Sequence, residues 1–167
     1  MLFRSFFLHG LSSLESLLLN KCYKLENADS LQSLTSLKHL KLFDCIRLEN
    51  IPSLQGLTSL KEFSVIMGSN LKNIFFLEGL TSLEKLHLTE CSDLTSSGLA
   101  PLPSLTSLQE LDLSLSYRVD VSTLPDLGSL SSLKYLNLTH CIQDRARSAS
   151  KKIRGSLPNT KIKFWSR

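Results

Sequence analysis

Six times along the chain a leucine phrase returns in the same register: LSSLESLLLNKC at 11–22, LTSLKHLKLFDC at 34–45, LTSLKEFSVIMG at 57–68, LTSLEKLHLTEC at 80–91, LTSLQELDLSLS at 105–116 and LSSLKYLNLTHC at 130–141. Its second leucine falls at Leu14, Leu37, Leu60, Leu83, Leu108 and Leu133, in steps of 23, 23, 23, 25 and 25 residues. A unit this short cannot bury its own leucines; it does so only by stacking on its neighbours. Leucine also carries most of the apolar content, because the chain is 42% hydrophobic but only 7% aromatic. That composition fits a core of repeated, similar slots.

Two periods alternate within each copy. The last leucines, such as Leu40 and Leu42, alternate with polar residues, the pattern of a strand with one buried face. The earlier ones, such as Leu31, Leu34 and Leu37, recur every third position, which suits a 3₁₀-like return path turning a side chain inward at each corner. Pro52, Pro101, Pro103 and Pro125 fall in the return segments and disfavour helix interiors. Convex arcs that are mostly irregular or 3₁₀ are therefore expected, with a short convex helix placed at 94–105, around SSGLAPL.

On these residues, over roughly 2–141, the sequence resembles the leucine-rich repeat family. The cysteine-ending LxxLxLxxC form, with the intervening LENIPSLQGLTSLKEF, is similar to repeats of plant intracellular immune receptors. The stretch CSDLTSSGLAPLPSLTSLQELDLS is similar to repeats of bacterial and F-box-associated proteins. The resemblance implies an α/β, right-handed solenoid with a parallel β-sheet on its concave side. The expected division is a partial repeat at 1–13, six repeats at 14–141 and a cap at 142–167.

The two ends read differently. LFRSFFLHGLSSL aligns position for position with LENIPSLQGLTSL, so the chain opens halfway through a repeat. Phe3, Phe6 and Phe7 are placed near an open core edge that further sequence or a partner is expected to cover. At the other end, Ile142, Ala146, Ala149, Ile153 and Leu157 form a stripe at helical spacing that Pro158 terminates. TKIKFW at 160–165 then reads as a lysine-protected edge strand.

Cys22, Cys45, Cys91 and Cys141 occupy one repeat position, eight after the anchoring leucine; Gly68 and Ser116 fill it in the other copies. Coils about 4.8 Å apart spread these four along the axis, so they cannot converge on zinc, whose ligands lie within ~2.3 Å of one point. A disulfide is conceivable only between Cys22 and Cys45. The resemblance implies a packing role for this slot, inside the turn that leaves the strand. Four reduced thiols, with an apolar N-terminal run that His9 and Gly10 break, lead to an intracellular, cytoplasmic expectation. No apolar stretch is long enough for a membrane helix.

No nucleophile elbow, phosphate-cradling glycine loop or HExxH motif is present, and CIQD at 141–144 does not match the Cys-x-Asp of bacterial ubiquitin ligases that carry these repeats. No enzyme activity, cofactor or metal is expected. His9, His39, His87 and His140 are read as solvated repeat residues. The expected function is recognition of a protein partner by the outward strand residues. Apolar side chains stand there at Leu18, Phe43, Ile66, Met67 and Leu115, among His39, Lys41, Glu62, Lys85, His87, Glu110, Asp112 and Tyr135.

The alternative comes from charge. Up to Cys141 there are 11 basic and 14 acidic residues, and beyond it 8 basic and 1 acidic. Arg145, Arg147, Lys151, Lys152 and Arg154 could hold a nucleic acid or an anionic membrane surface, although a solvated cap face explains them more simply. Asn137-Leu138-Thr139 fits a glycosylation sequon, as in a secreted recognition protein, but Asn137 is expected on the concave sheet.

Overall fold

The computed structural model describes residues 8, 10–25, 28–45, 47, 51–142 and 146–164. Seven parallel strands form one sheet in chain order: β1 (Ser16–Asn20), β2 (His39–Phe43), β3 (Glu62–Ile66), β4 (Lys85–Thr89), β5 (Glu110–Asp112), β6 (Tyr135–Asn137) and β7 (Lys161–Lys163). Equivalent repeat residues stand opposite one another, Ser16 beside His39, His39 beside Glu62, Glu62 beside Lys85. This is the α/β leucine-rich-repeat solenoid that the resemblance implies.

The three-residue leucine period is visible as hydrogen bonds. The Leu34 amide donates to Leu31 O (3.1 Å) and the Leu37 amide to Leu34 O (2.9 Å). The same pair recurs at 54–57–60, 77–80–83, 102–105–108 and 127–130–133. Each i to i−3 closure is one 3₁₀-type turn that brings the next leucine inward. Leu31, Leu34, Leu37 and Leu40 are wholly buried, as are their counterparts in the coils that follow. At the first coil Leu14, Leu17 and Leu19 are only partly buried against that core.

At each strand entry one carbonyl serves two amides: Glu15 O accepts from Lys38 and His39, and Lys38 O from Lys61 and Glu62. At each exit the backbone turns left-handed. Lys21, Asp44, Met67, Glu90, Leu115 and His140 have φ of 53°, 53°, 59°, 58°, 61° and 63°. Residues with a Cβ adopt this conformation at a cost. It is offset here because the turned amide reaches the next coil, as from Lys21 to Phe43 O (2.9 Å) and from Met67 to Thr89 O (3.0 Å).

The convex arcs are irregular or 3₁₀, with short 3₁₀ turns such as Asp29–Ser33 and Phe75–Leu77. The helix expected at 94–105 takes the form of two 3₁₀ turns, Ser97–Leu99 and Leu102–Ser104. Pro101 and Pro103 lack the amides an α-helix would need there.

The cap contains helix α1 (Ala146–Ser156) and β7, which pairs with β6 alone. Ala149, Ile153 and Leu157 are buried. Ile142, expected on the same stripe, instead forms an isolated parallel bridge with Asp120. Its amide donates to Val119 O (2.8 Å), which fixes it as an extra rung and not as a helix residue. Phe3, Phe6, Phe7, His9 and Trp165 lie outside the described residues.

Candidate functional site

The outward strand positions make parallel rows across the sheet. The entry row runs Ser16, His39, Glu62, Lys85, Glu110, Tyr135, Lys161, and the middle row Leu18, Lys41, Ser64, His87, Asp112, Asn137, Lys163. The exit row is Asn20, Phe43, Ile66 and Thr89. The left-handed residues form a rim beyond it.

Charge is organised by two copies of one clamp. Glu62 on β3 takes Lys41 Nζ at 2.7 Å and His39 Nδ1 at 3.2 Å, both from β2. Glu110 on β5 takes Lys85 Nζ at 3.1 Å, and His87 Nε2 lies 3.6 Å away, close to the carboxylate but not hydrogen-bonded to it; both come from β4. In each, a basic residue and a histidine two apart on one strand straddle a glutamate on the next, because alternate residues share a face. Burial raises the Glu62 pKa, but Lys41 and His39 outweigh it and hold the carboxyl below its usual range. Tyr135 is pushed above the usual phenol range by burial, then by Asp112 and Glu110. Its hydroxyl therefore remains a donor at neutral pH.

Asp112 has a structural task the sequence reading missed. Its carboxylate accepts from the Ser114 amide (2.8 Å) and from Asn137 Nδ2 (2.9 Å), while Asn137 Oδ1 accepts from the Thr139 amide (3.2 Å) and hydroxyl (2.6 Å). These side-chain turns take the amide two residues on out of the sheet ladder. β5 and β6 accordingly stop after three residues, where β1 to β4 run for five. Asn137 of the sequon is buried and bonded at both ends of its amide.

The apolar residues gather at one end. Leu18 is 63% exposed and Met67 38%, with Phe43 and Ile66 half-buried between them on adjacent strands. Leu115 stands apart, two coils from Met67, with Glu90 between them. Two exposed residues unforeseen from the sequence, Tyr23 and Tyr117, share the position just after the cysteine slot. The Tyr23 hydroxyl donates to Asp44 Oδ2 at 2.6 Å. The repeat alignment itself was the signal for this pair.

The basic residues of the cap divide between two sides. Lys151, Lys152 and Arg154 lie on α1, which packs against the 3₁₀ turn Val121–Thr123 on the return side, and the Arg154 guanidinium sits 5.3 Å from the Phe164 ring centroid. Lys161 and Lys163 extend the two concave rows. Arg147 falls on α1, and Arg145 lies outside the described residues.

The slot cysteines are ladder rungs. Four slot side chains donate to a carbonyl of the preceding coil: Cys45 to Leu19 (3.6 Å), Cys91 to Val65 (3.8 Å), Ser116 to Leu88 (2.9 Å), Cys141 to Leu113 (3.2 Å). Each also meets the slot amide of that coil, from Cys22, Gly68, Cys91 and Ser116 respectively. Burial pushes the Cys91 and Cys141 thiols up to about 12. All four thiols are free, and no cluster of metal-binding side chains occurs among the described residues. Beside Cys22, at the first coil, an opening of about 450 Å³ is lined by Leu8, Leu19, Tyr23, Leu25 and Leu31.

No family model matches the sequence, and no curated protein is detectably similar to it. Among solved structures, the chain is similar to internalin InlF of Listeria monocytogenes at 22% identity and a TM-score of 0.53, over 95% of this chain and 50% of that one. Internalin C2 of the same organism matches at 22% identity and a TM-score of 0.39, over 84% of this chain and 76% of that one. The chain thus spans about half the length of InlF. The likeness to InlF, with the parallel sheet of stacked repeats, establishes the leucine-rich-repeat fold.

Proposed function

We propose that the chain is a non-catalytic recognition module that binds a protein partner on its concave face, as part of a receptor, an adaptor or the substrate-recognition unit of a ubiquitin ligase. The observation that carries this reading is the cluster of Leu18, Phe43, Ile66 and Met67 on the solvent side of β1 to β3. The solenoid core is complete without them, because the inward leucines fill it. Apolar side chains rimmed by charge form the kind of surface that gains affinity from a partner.

The clamps on Glu62 and Glu110 are already neutralised within the sheet, so they add orientation and specificity more than attraction. His39 is hydrogen-bonded to Glu62, and the Cys91 and Cys141 thiols are buried. That supports a reading without chemistry. An intracellular compartment, where thiols stay reduced, is part of the same proposal.

The test is recovery of partners from native lysate by wild type and by Phe43→Asp/Met67→Asp, with folding checked by circular dichroism. Loss of the recovered partner is expected. Equal recovery by two folded proteins sinks the assignment.

A further inference from the structure

We propose that Cys22 and Cys45 form an oxidation site, in which Cys22 attacks a hydroperoxide and Cys45 then closes a disulfide that staples the first coil to the second. Asn20 lies opposite Phe43, and both chains then pass through equivalent left-handed residues, Lys21 and Asp44, each at φ 53°. Equal paths from paired residues leave the two cysteines about one strand spacing apart, ~4.8 Å. Disulfides form across Cα separations of about 4.4 to 6.8 Å. The Cys45 sulfur accordingly meets both the amide and the thiol of Cys22.

Access and selectivity follow from the same placement. Cys22 is half-buried and borders the 450 Å³ opening, whereas Cys45 is buried behind it. Cys91 and Cys141 are buried too, but the preceding coils offer them Gly68 and Ser116 in place of a thiol. Oxidation therefore reaches one pair and spares the other two cysteines.

The chemistry balances with hydrogen peroxide as oxidant. The Cys22 thiolate displaces hydroxide from the O–O bond, giving a sulfenic acid and, after protonation, one water. The Cys45 sulfur attacks the Cys22 sulfur, and the second oxygen leaves as water. Two S–H bonds are lost, one S–S bond forms, and two electrons pass to the peroxide.

The experiment treats the reduced full chain with hydrogen peroxide, then counts free thiols and maps linked peptides by mass spectrometry. Free thiols should fall from four to two with a Cys22–Cys45 linkage, and the Tm should rise by several degrees. Cys45→Ser, which Ser116 shows the slot accepts, should leave a Cys22 sulfenic acid that dimedone traps. Cys22→Ser should leave Cys45 unreacted. Intermolecular Cys22 dimers, equal loss of all four thiols, or no loss while free cysteine in the same tube is consumed would each overturn the proposal.

Discussion

Val65 Cγ1 occupies the space a side chain on Gly68 would need, within clashing distance of the position its Cβ would take. Every other coil has leucine at the Val65 position (Leu19, Leu42, Leu88, Leu113, Leu138) and cysteine or serine in the slot. One departure from the repeat thus explains the other. A γ-branched leucine leaves room at its own Cβ that a β-branched valine fills.

Gly68→Cys alone should therefore cost about 1–3 kcal/mol through overpacking, although it restores the repeat phrase. Val65→Leu/Gly68→Cys should recover most of that loss. Urea denaturation of the two single variants and the double variant gives the coupling; additive effects would show that the two sites do not share this space.

The left-handed strand exits can be tested at Glu90, with φ 58°. Glu90→Gly should be more stable than Glu90→Ala, by up to about 1 kcal/mol, because glycine escapes the Cβ penalty there but loses more chain entropy. Glu90→Val should fall below both. If glycine proves the least stable of the three, the conformation is not what that residue experiences in solution.

Glu62 sets a pH dependence. Its folded pKa lies below the unfolded value, so its contribution is present above the ordinary glutamate pKa of about 4.3 and is lost as pH falls through the folded pKa. Its partners His39 and Lys41 are about half exposed, 46% and 48%, and solvent screening at their ends keeps the effect under about 1 kcal/mol. The stability gap between wild type and Glu62→Gln, measured at pH 7 and pH 3, should shrink at the lower pH. A gap that widens would contradict the clamp.

Asn137 offers a sharper charge test. Its Nδ2 lies 2.9 Å from Asp112 Oδ2, so Asn137→Asp replaces a donor with a second carboxylate. We expect a loss of about 1–3 kcal/mol at pH 7, partly regained near pH 4 as one carboxyl of the pair takes up a proton. Thermal melts at the two pH values check it, and a pH-independent loss would point to packing instead.

Much of this fold was legible because two leucine periods map onto two backbone geometries, the i to i−3 turns at Leu31–Leu34–Leu37 and the alternation at Leu40 and Leu42. The rows of the candidate site were legible for the same reason: a fixed repeat sets Lys41 beside Ser64 and His39 beside Glu62. What periodicity does not specify is the direction of a short polar side chain. Asp112 and Asn137 read as free surface, although Asp-x-Ser and Asn-x-Thr are local signals for a side chain bonding an amide two residues on. Ile142 suited a helical stripe, and only the carbonyl of Val119 shows why it joins a rung.

The shortening of β5 and β6 by Asp112 and Asn137 gives the concave surface a wide end and a narrow one. At about 3.3 Å per residue, five-residue strands present roughly 17 Å across the face and three-residue strands roughly 10 Å. A perfectly regular stack would let a visitor slide by one coil and find the same footing. Here the taper, with Leu18, Phe43, Ile66 and Met67 together at the broad end, makes one position along the stack unlike the others.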